Sequence, residues 1–134
     1  MFSWQRLLLI FVGLVALARP TASSLPPPLP EVVSMVQLIA TPEKFDGRQI
    51  LVAGFLRLEF EGNCLYLHRE DYEHLILKNA ICIVRNPVIN AQSNTLNMHY
   101  VVLLGTFNAT RKGHLSLTSG SLTDISGARL SVRP

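Results

Sequence analysis

The sequence predicts a mainly β protein, a small five-stranded barrel with one or two short helices, preceded by a signal peptide. Three observations lead to this prediction. Residues 50–60 form a long apolar strand pattern with Gly54 at its centre, and residues 64–68 return from it after a glycine turn. Two later apolar runs also contain or border glycines, as the bent strands of a small barrel do. The 134 residues are enough for one such domain.

The first 24 residues have the layout of a secretory signal peptide. A single positive charge, Arg6, precedes an uncharged and nearly all apolar stretch at residues 7–18, and small residues suited to cleavage follow. This stretch is short for a membrane span, although an uncleaved membrane anchor is the alternative. We therefore expect an exported protein, periplasmic or extracellular, with no stable membrane span after cleavage.

The charge balance of the exported chain argues against nucleic acid as a partner. Removing residues 1–24 takes away Arg6 and Arg19, which leaves ten of the 12 basic residues against nine acidic ones, a net charge of about +1. A domain that binds nucleic acid by charge usually shows a basic stripe, and none is visible in the sequence. We expect a proline-rich spacer at residues 25–31, an OB-like barrel domain at residues 32–126 and a frayed tail at residues 127–134.

The hairpin at residues 50–68 organises the predicted domain. Alternate side chains of its first strand lie on opposite faces, and only one face stays apolar beyond Phe55. A strand buried on both sides at one end and on one side at the other suits a sheet that curls over itself. Glycine weakens a strand unless the chain bends or packs closely there, so Gly54 predicts such a point. Gly62 then supplies the positive φ of the turn.

The remaining elements are predicted from local patterns. Helices are expected at residues 34–40 and 69–77, strands at residues 80–84, 98–107 and 114–125, and a surface loop at residues 86–97. Ser34 is the expected N-cap of the first helix. The second helix is expected to bury a stripe made of Tyr72, Leu75 and Ile76.

Two cysteines, Cys64 and Cys82, lie on predicted strands. An even number of cysteines in an exported chain makes one disulfide reasonable, and the side chains meet if those strands pair. Their facing directions do not follow from the sequence, so two buried free thiols are the alternative. Two cysteines alone are too few ligands for a zinc site.

Five strands bent by glycines, with two short helices, favour a barrel of the OB type. The stretch VSMVQLIATPEKFDGRQILVAGF, residues 33–55, resembles the opening of exported bacterial OB-fold domains, with a short helix, a proline, an aromatic–x–glycine turn and a strand ending in Val-x-Gly. The motifs GTF, KGH and SGS, at residues 105–107, 112–114 and 119–121, resemble the closing strands of a group of small uncharacterised bacterial proteins. The resemblance covers roughly residues 32–125 and implies a fold and an exported setting, but no activity. One difference is that the predicted helix follows the second strand, whereas the usual OB helix follows the third.

OB barrels bind oligonucleotides, oligosaccharides or peptides on a curved sheet face, and the side chains there decide which. The candidate ligand contacts are Phe55, Arg57 and Tyr66 on the hairpin, with Lys112 and His114 on the turn between the last two strands. A turn with polar tips is the simpler interpretation of the last two. We expect a non-catalytic binding module for an unknown protein, peptide or saccharide. The alternative is binding of single-stranded nucleic acid or of an oligosaccharide. Nucleic-acid binding requires stacked aromatic residues together with basic residues.

His68, Glu70, Asp71 and His74 lie within seven residues and are candidate metal ligands. Asp71 and His74 share a helix face, but zinc sites usually have better-defined spacings, and nothing outside the segment completes this one. The solvated start of a helix is therefore the preferred interpretation. The sequence contains no nucleophile elbow, phosphate-binding glycine loop or evident carboxylate pair. We predict no enzyme activity and no cofactor; a metal-dependent hydrolase at His68–His74 is the least favoured alternative.

Overall fold

The computed structural model describes residues 25–132, so the predicted signal peptide, residues 1–24, lies outside the described part of the chain. The strands are β1 (Glu31–Val32), β2 (Gln49–Arg57), β3 (Cys64–Tyr66), β4 (Ala80–Ile83), β5 (His99–Asn108) and β6 (Ser121–Leu130). The α-helices are α1 (Met35–Ala40), α2 (Arg69–Glu73), α3 (Pro87–Ala91) and α4 (Ser93–Leu96). No helix within residues 25–132 is long and apolar enough to cross a membrane.

Strands β2 to β6 close into a five-stranded barrel. Their order is β2-β3-β4-β6-β5, and β5 pairs back with β2. All of these pairings are antiparallel except that of β4 with β6, which is parallel. The short β1 adds to the first half of β2 in parallel. This arrangement confirms the predicted fold class, a mainly β barrel of OB-like form with a few short helices.

The barrel interior follows from the alternation in β2. Ile50, Val52 and Leu56 point inward and are buried. The other large side chains that are fully buried in this core are Leu38, Leu65, Ile81, Ile89, Leu96, Leu103, Phe107, Leu122 and Ile125. A Cβ atom at Gly54 would lie 2.6 Å from the carbonyl oxygen of Tyr66. Glycine therefore lets β3 approach β2 closely, beyond the part of β2 that pairs with β1.

The prediction of a loop at residues 86–97 is wrong, because this segment forms helices α3 and α4. Asn86 caps α3 by accepting a hydrogen bond from the backbone N–H of Ile89, and its side-chain amide donates to the carbonyl oxygen of Ile125. Ile89 and Leu96 are buried in the barrel core. Because most residues of this segment are polar, its sequence pattern did not indicate the two short helices that bury these side chains. Helices therefore follow both the second and the third barrel strands.

The predicted strand at residues 114–125 is also wrong in its first half. Residues 114–116 form a short 3-10 turn, and Leu115 and Leu117 are exposed rather than alternating into a core. Strand β6 begins at Ser121 and pairs with β5 up to Leu130. The tail predicted to fray from residue 127 is consequently strand as far as Leu130, because β5 is long enough to pair with it.

Helix α2 is shorter than predicted, and the expected buried stripe is wrong. Leu75 and Ile76 lie beyond the helix and are 72 % and 45 % exposed, while Tyr72 is half-buried. Leu75 has a φ of 55°, which ends helical geometry there. The buried member of α2 is instead Asp71.

Candidate binding surface

Four aromatic side chains cover the outer face of the barrel around β2. Phe55 on β2 is the register partner of Tyr66 on β3 and of Tyr100 on β5. The ring centroid of Phe55 lies 5.4 Å from that of Tyr100 and 6.1 Å from that of Tyr72, which α2 contributes. Tyr66 and Tyr72 pack edge to face at 5.6 Å. We call Phe55, Tyr66, Tyr72 and Tyr100 the outer aromatic layer.

Two predicted ligand contacts, Phe55 and Tyr66, are buried inside this layer. Phe55 is 0 % exposed and Tyr66 is 4 % exposed, because α2 and the turn after it lie over them and pack with Cys64 and Ala80 into a second small core. Burial raises the pKa of the Tyr66 phenol, since the charged phenolate loses its hydration there. Neither ring is exposed at the surface, so Phe55 and Tyr66 stay predicted ligand contacts that the structure places beneath α2.

Two arginines lie over the rings of the outer layer. The guanidinium carbon of Arg57 is 5.5 Å from the ring centroid of Tyr72, and that of Arg69 is 5.2 Å from the ring centroid of Phe55. Both distances are in the range of cation–π contacts. The backbone N–H of Arg69 also donates to the Tyr100 hydroxyl at 3.2 Å. We call Arg57, Arg69, Tyr72 and Tyr100 the arginine–tyrosine patch.

The two arginines of the patch differ in their charge partners. The Nε atom of Arg57 donates to Glu59 at 2.8 Å, and this hydrogen bond raises the pKa of Arg57. The other ion pair among residues 25–132 joins Arg48 to Glu31, so Arg69 has no carboxylate within ion-pairing distance in this part of the chain. Arg69 is exposed, and Tyr100 beside it is 38 % exposed. The patch therefore offers a guanidinium free of ion pairs next to an accessible aromatic ring.

Two of the remaining three predicted ligand contacts, Lys112 and His114, are exposed on the loop at residues 109–120. This loop contacts β4 and the turn before it, since a Cβ atom at Gly113 would overlap Cys82 Sγ. Ser119 donates through its backbone N–H to Ala80 and through its hydroxyl to the carbonyl oxygen of Lys78. The structure thus brings Lys112 and His114 to β4 rather than to the arginine–tyrosine patch.

The four candidate metal ligands do not converge. Asp71 is buried, and its carboxylate accepts hydrogen bonds from the backbone N–H of His68 at 2.9 Å and from the side-chain amide of Asn79 at 2.8 Å. His68, Glu70 and His74 are exposed. Within residues 25–132, no three His, Cys, Asp or Glu side chains are placed to hold a metal ion. Asp71 ties the start of α2 to Asn79, next to β4, which is a structural use of the carboxylate.

Cys64 and Cys82 face each other as free thiols on the paired strands β3 and β4. Their Sγ atoms are 4.0 Å apart. The hydrogen bond with Cys64 lowers the pKa of Cys82 below the ordinary value of a thiol, assisted by the hydroxyl of Thr118 and the positive charge of Arg111. Cys64 keeps its proton, because donation to Cys82 and burial raise its pKa.

A separate concave surface lies on the barrel wall away from the patch. An apolar groove of about 470 Å³ is lined by Val32, Val36, Leu51, Ala53, Val102 and Arg129, among others. Strands β1, β2, β5 and β6 and helix α1 contribute these residues. It contains none of the predicted ligand contacts, and it has few polar groups to orient a ligand, so the arginine–tyrosine patch is the stronger candidate.

Sequence reasoning missed Arg69 and Tyr100 as site residues. Both signals are present in the chain, since Tyr100 begins the outward series of β5 and Arg69 begins α2. Their meeting depends on the register of β5 against β2, which places Tyr100 opposite Phe55. Comparison of the chain with protein-family models, curated proteins and solved structures finds no significant match. The geometry of the barrel surface is therefore the basis for a functional proposal.

Proposed function

We propose that the protein is an exported, non-catalytic binding module whose ligand contact is the arginine–tyrosine patch. The observation that carries the proposal is Arg69, an exposed guanidinium held over Phe55 and hydrogen-bonded through its backbone to Tyr100, without an ion-pair partner among residues 25–132. Export is supported by the layout of residues 1–24, a charge followed by a short apolar stretch.

The chemistry of the patch favours a ligand with carboxylates and a flat apolar group. Guanidinium groups match carboxylates with paired N–H donors, and ring contacts restrict their orientation before binding. The exposed part of Tyr100 offers a surface for an apolar group beside that charge. An acidic segment of a peptide or protein that contains an aromatic residue fits both features.

Single-stranded nucleic acid is the second candidate, and the adjacency of arginines and tyrosines favours it. One feature speaks against it. The most central ring, Phe55, is already covered, so few faces remain for stacking bases. A metal-dependent hydrolase is not proposed, because the Asp71 carboxylate already holds α2 in place.

Binding is tested with three fluorescent probes: a peptide of glutamate and tyrosine, an oligogalacturonate and an oligothymidylate. We expect the acidic peptide to bind best, and Arg69→Gln to weaken its binding by about tenfold, the loss of one charge-assisted hydrogen bond. Arg48→Gln is the matched control, because Arg48 is exposed and already paired with Glu31. Preference for the oligothymidylate would move the second candidate to first place, and equal effects of the two variants would overturn the patch as the contact.

Export is tested separately. Expressed in full, the protein should be recovered outside the cytoplasm, shortened by roughly 18–24 residues, with cleavage after a small residue. N-terminal sequencing measures this. An intact Met1 on cytoplasmic protein would contradict the exported setting without bearing on the binding result.

A further inference from the structure

We propose that Cys64 and Cys82 are a redox-active pair of thiols, and that closing them into a disulfide releases the loop at residues 109–120 from the barrel wall. We call this segment the clasp loop. The inference does not depend on the proposed ligand. It rests on the register of β3 against β4 and on the contacts that the clasp loop makes with Cys82.

The two cysteines occupy a position at which neighbouring strands come closest. Backbone hydrogen bonds join Leu67 to Asn79 and Ile83 to Asn63. Cys64 and Cys82 are register partners one position along from Asn63 and Ile83. Because hydrogen-bonded and non-hydrogen-bonded pairs alternate in an antiparallel ladder, no backbone hydrogen bonds join the two cysteines to each other. In such pairs the Cα atoms are about 4.5 Å apart, which lies within the range that a disulfide bridges. The sulfur atoms, 4.0 Å apart, need only side-chain rotation to meet.

The clasp loop is built around the sulfur of Cys82. Gly113 packs directly on it, since a Cβ atom at Gly113 would overlap Cys82 Sγ. The Thr118 hydroxyl lies 3.5 Å from the same sulfur and 2.8 Å from the carbonyl oxygen of Lys112, to which it donates. Gly113 and Thr118 of the loop thus both contact this sulfur, and Cys64 Sγ lies 4.0 Å from it.

The clasp loop is held in a backbone conformation that it would not keep alone. Leu115 and Ser116 have φ values of 57° and 54°, in the left-handed region that side chains other than glycine and asparagine rarely adopt. Leu115 is 74 % exposed, so burial of its side chain does not hold it there. Contacts with the barrel wall must supply the difference, and those of Gly113 and Thr118 with Cys82 Sγ are among them.

Exchange with oxidised glutathione closes the pair in two steps. The thiolate of Cys82 attacks one glutathione sulfur, the glutathione S–S bond breaks, and one glutathione leaves as thiolate and takes up the proton that Cys82 has lost. Cys64 then gives up its proton and attacks Cys82 Sγ, and the second glutathione leaves and is protonated. The two thiols are oxidised by two electrons, and one disulfide is reduced to two thiols.

Oxidation removes what the clasp loop recognises. Turning the Cys82 side chain toward Cys64 takes its sulfur away from the Thr118 hydroxyl, so the 3.5 Å contact between them is lost. Moving Cys82 Sγ toward Cys64 also withdraws it from beneath Gly113. With the left-handed residues no longer compensated, the clasp loop opens.

The test uses the full chain, reduced or treated with oxidised glutathione, followed by thiol counting, intact mass and limited trypsin digestion. Trypsin cuts after Arg111 and Lys112, both in the clasp loop, and after the exposed Lys44, which serves as an internal control. We expect oxidation to remove both thiols and two hydrogens without adding glutathione. We also expect cleavage at Arg111 and Lys112 to become at least fivefold faster relative to Lys44.

Two kinds of result would overturn the proposal, and both are measured on the chain without substitutions. Glutathione adducts on both cysteines, or two thiols left free, would show that the pair does not close. A disulfide with unchanged relative cleavage would show that the clasp loop does not depend on Cys82. Cys64→Ala is the matched variant: we expect it to take one glutathione on Cys82 and form no intramolecular disulfide.

Discussion

The inside of the barrel and the outer aromatic layer share strand β2 but are built differently. The interior is almost entirely aliphatic, and it is assembled by inward residues such as Ile50 and Val52. The outer aromatic layer consists of Phe55 and three tyrosines. It packs with Cys64 and Cys82, has two arginines at its edge, and is covered by α2 rather than by another strand. Alternation along the strands specifies the interior. The outer aromatic layer is specified instead by α2, the connection that lies across the strands.

The two halves of the outer face of β2 show the same difference. Leu51 and Ala53, in the first half, face an open apolar groove. Phe55, only two residues later, is fully buried because α2 lies over it. The local sequence is apolar in both halves, so cover by the inserted segment at residues 69–79 decides which half becomes a second core. The proposed ligand contact, the arginine–tyrosine patch, lies at the border of that cover.

The largest expected effect is in the interior, at Gly54. Gly54→Val places a side chain against the Tyr66 carbonyl oxygen and within 3 Å of the Leu65 side chain, where β3 cannot retreat without opening the barrel. We expect a loss of about 3 kcal/mol or more in the free energy of unfolding, at the upper end for overpacking.

Ala53→Val is the matched control, because Ala53 is the next residue on the same strand and is exposed. Its cost should stay within about 0.5 kcal/mol. Urea unfolding of both variants measures the contrast. Equal midpoints would show that β2 does not separate a packed face from an open one at this point.

A smaller effect is expected in the outer layer, and it depends on pH. Burial raises the pKa of Tyr66 above its ordinary value of 10.0. The stability that its neutral phenol contributes is therefore complete below pH 10 and is lost as the pH rises from there through the raised pKa. Tyr66→Phe should leave stability at pH 7 within about 1 kcal/mol and should remove part of the decline above pH 10.

Tyr100→Phe is the control for that experiment, since it removes a phenol from the exposed edge of the same layer. Thermal unfolding from pH 7 to pH 11 measures the three proteins. If Tyr66→Phe and the unaltered chain decline in parallel above pH 10, the Tyr66 hydroxyl is not buried in solution.

The interior could be predicted from the sequence, and the outer layer could not. Alternation around Gly54 indicated a closed barrel, and Ser34 caps α1 as expected, accepting from the backbone N–H of Gln37. These features depend on residues close in the chain. The burial of Tyr66 depends on a five-residue helix that crosses two strands, and its own composition, rich in charge, indicates only a wet surface.

Two further errors have the same physical origin. Residues 86–97 contain few apolar residues, so their helices are stabilised by the barrel core and by Asn86, not by local periodicity. The alternating leucines at 115 and 117 imitated a strand, whereas the partner strand β5 reaches only residues from Ser121 onward. Pairing over long sequence separations decides both cases, and a single sequence does not encode it in a local pattern.

The second core and the patch at its border both require the outer aromatic layer to be closed over Tyr66 and open only at its edge. The chain has three tyrosines, and all of them belong to this layer, so acetylation of phenols by N-acetylimidazole reports on it directly. The acetylated tyrosines are identified by peptide mass. We expect Tyr100 to react in the folded protein, Tyr66 to react only after unfolding in urea, and Tyr72 to react at an intermediate rate. Acetylation of Tyr66 as fast as that of Tyr100 in the folded protein would contradict the second core and the patch built on its border.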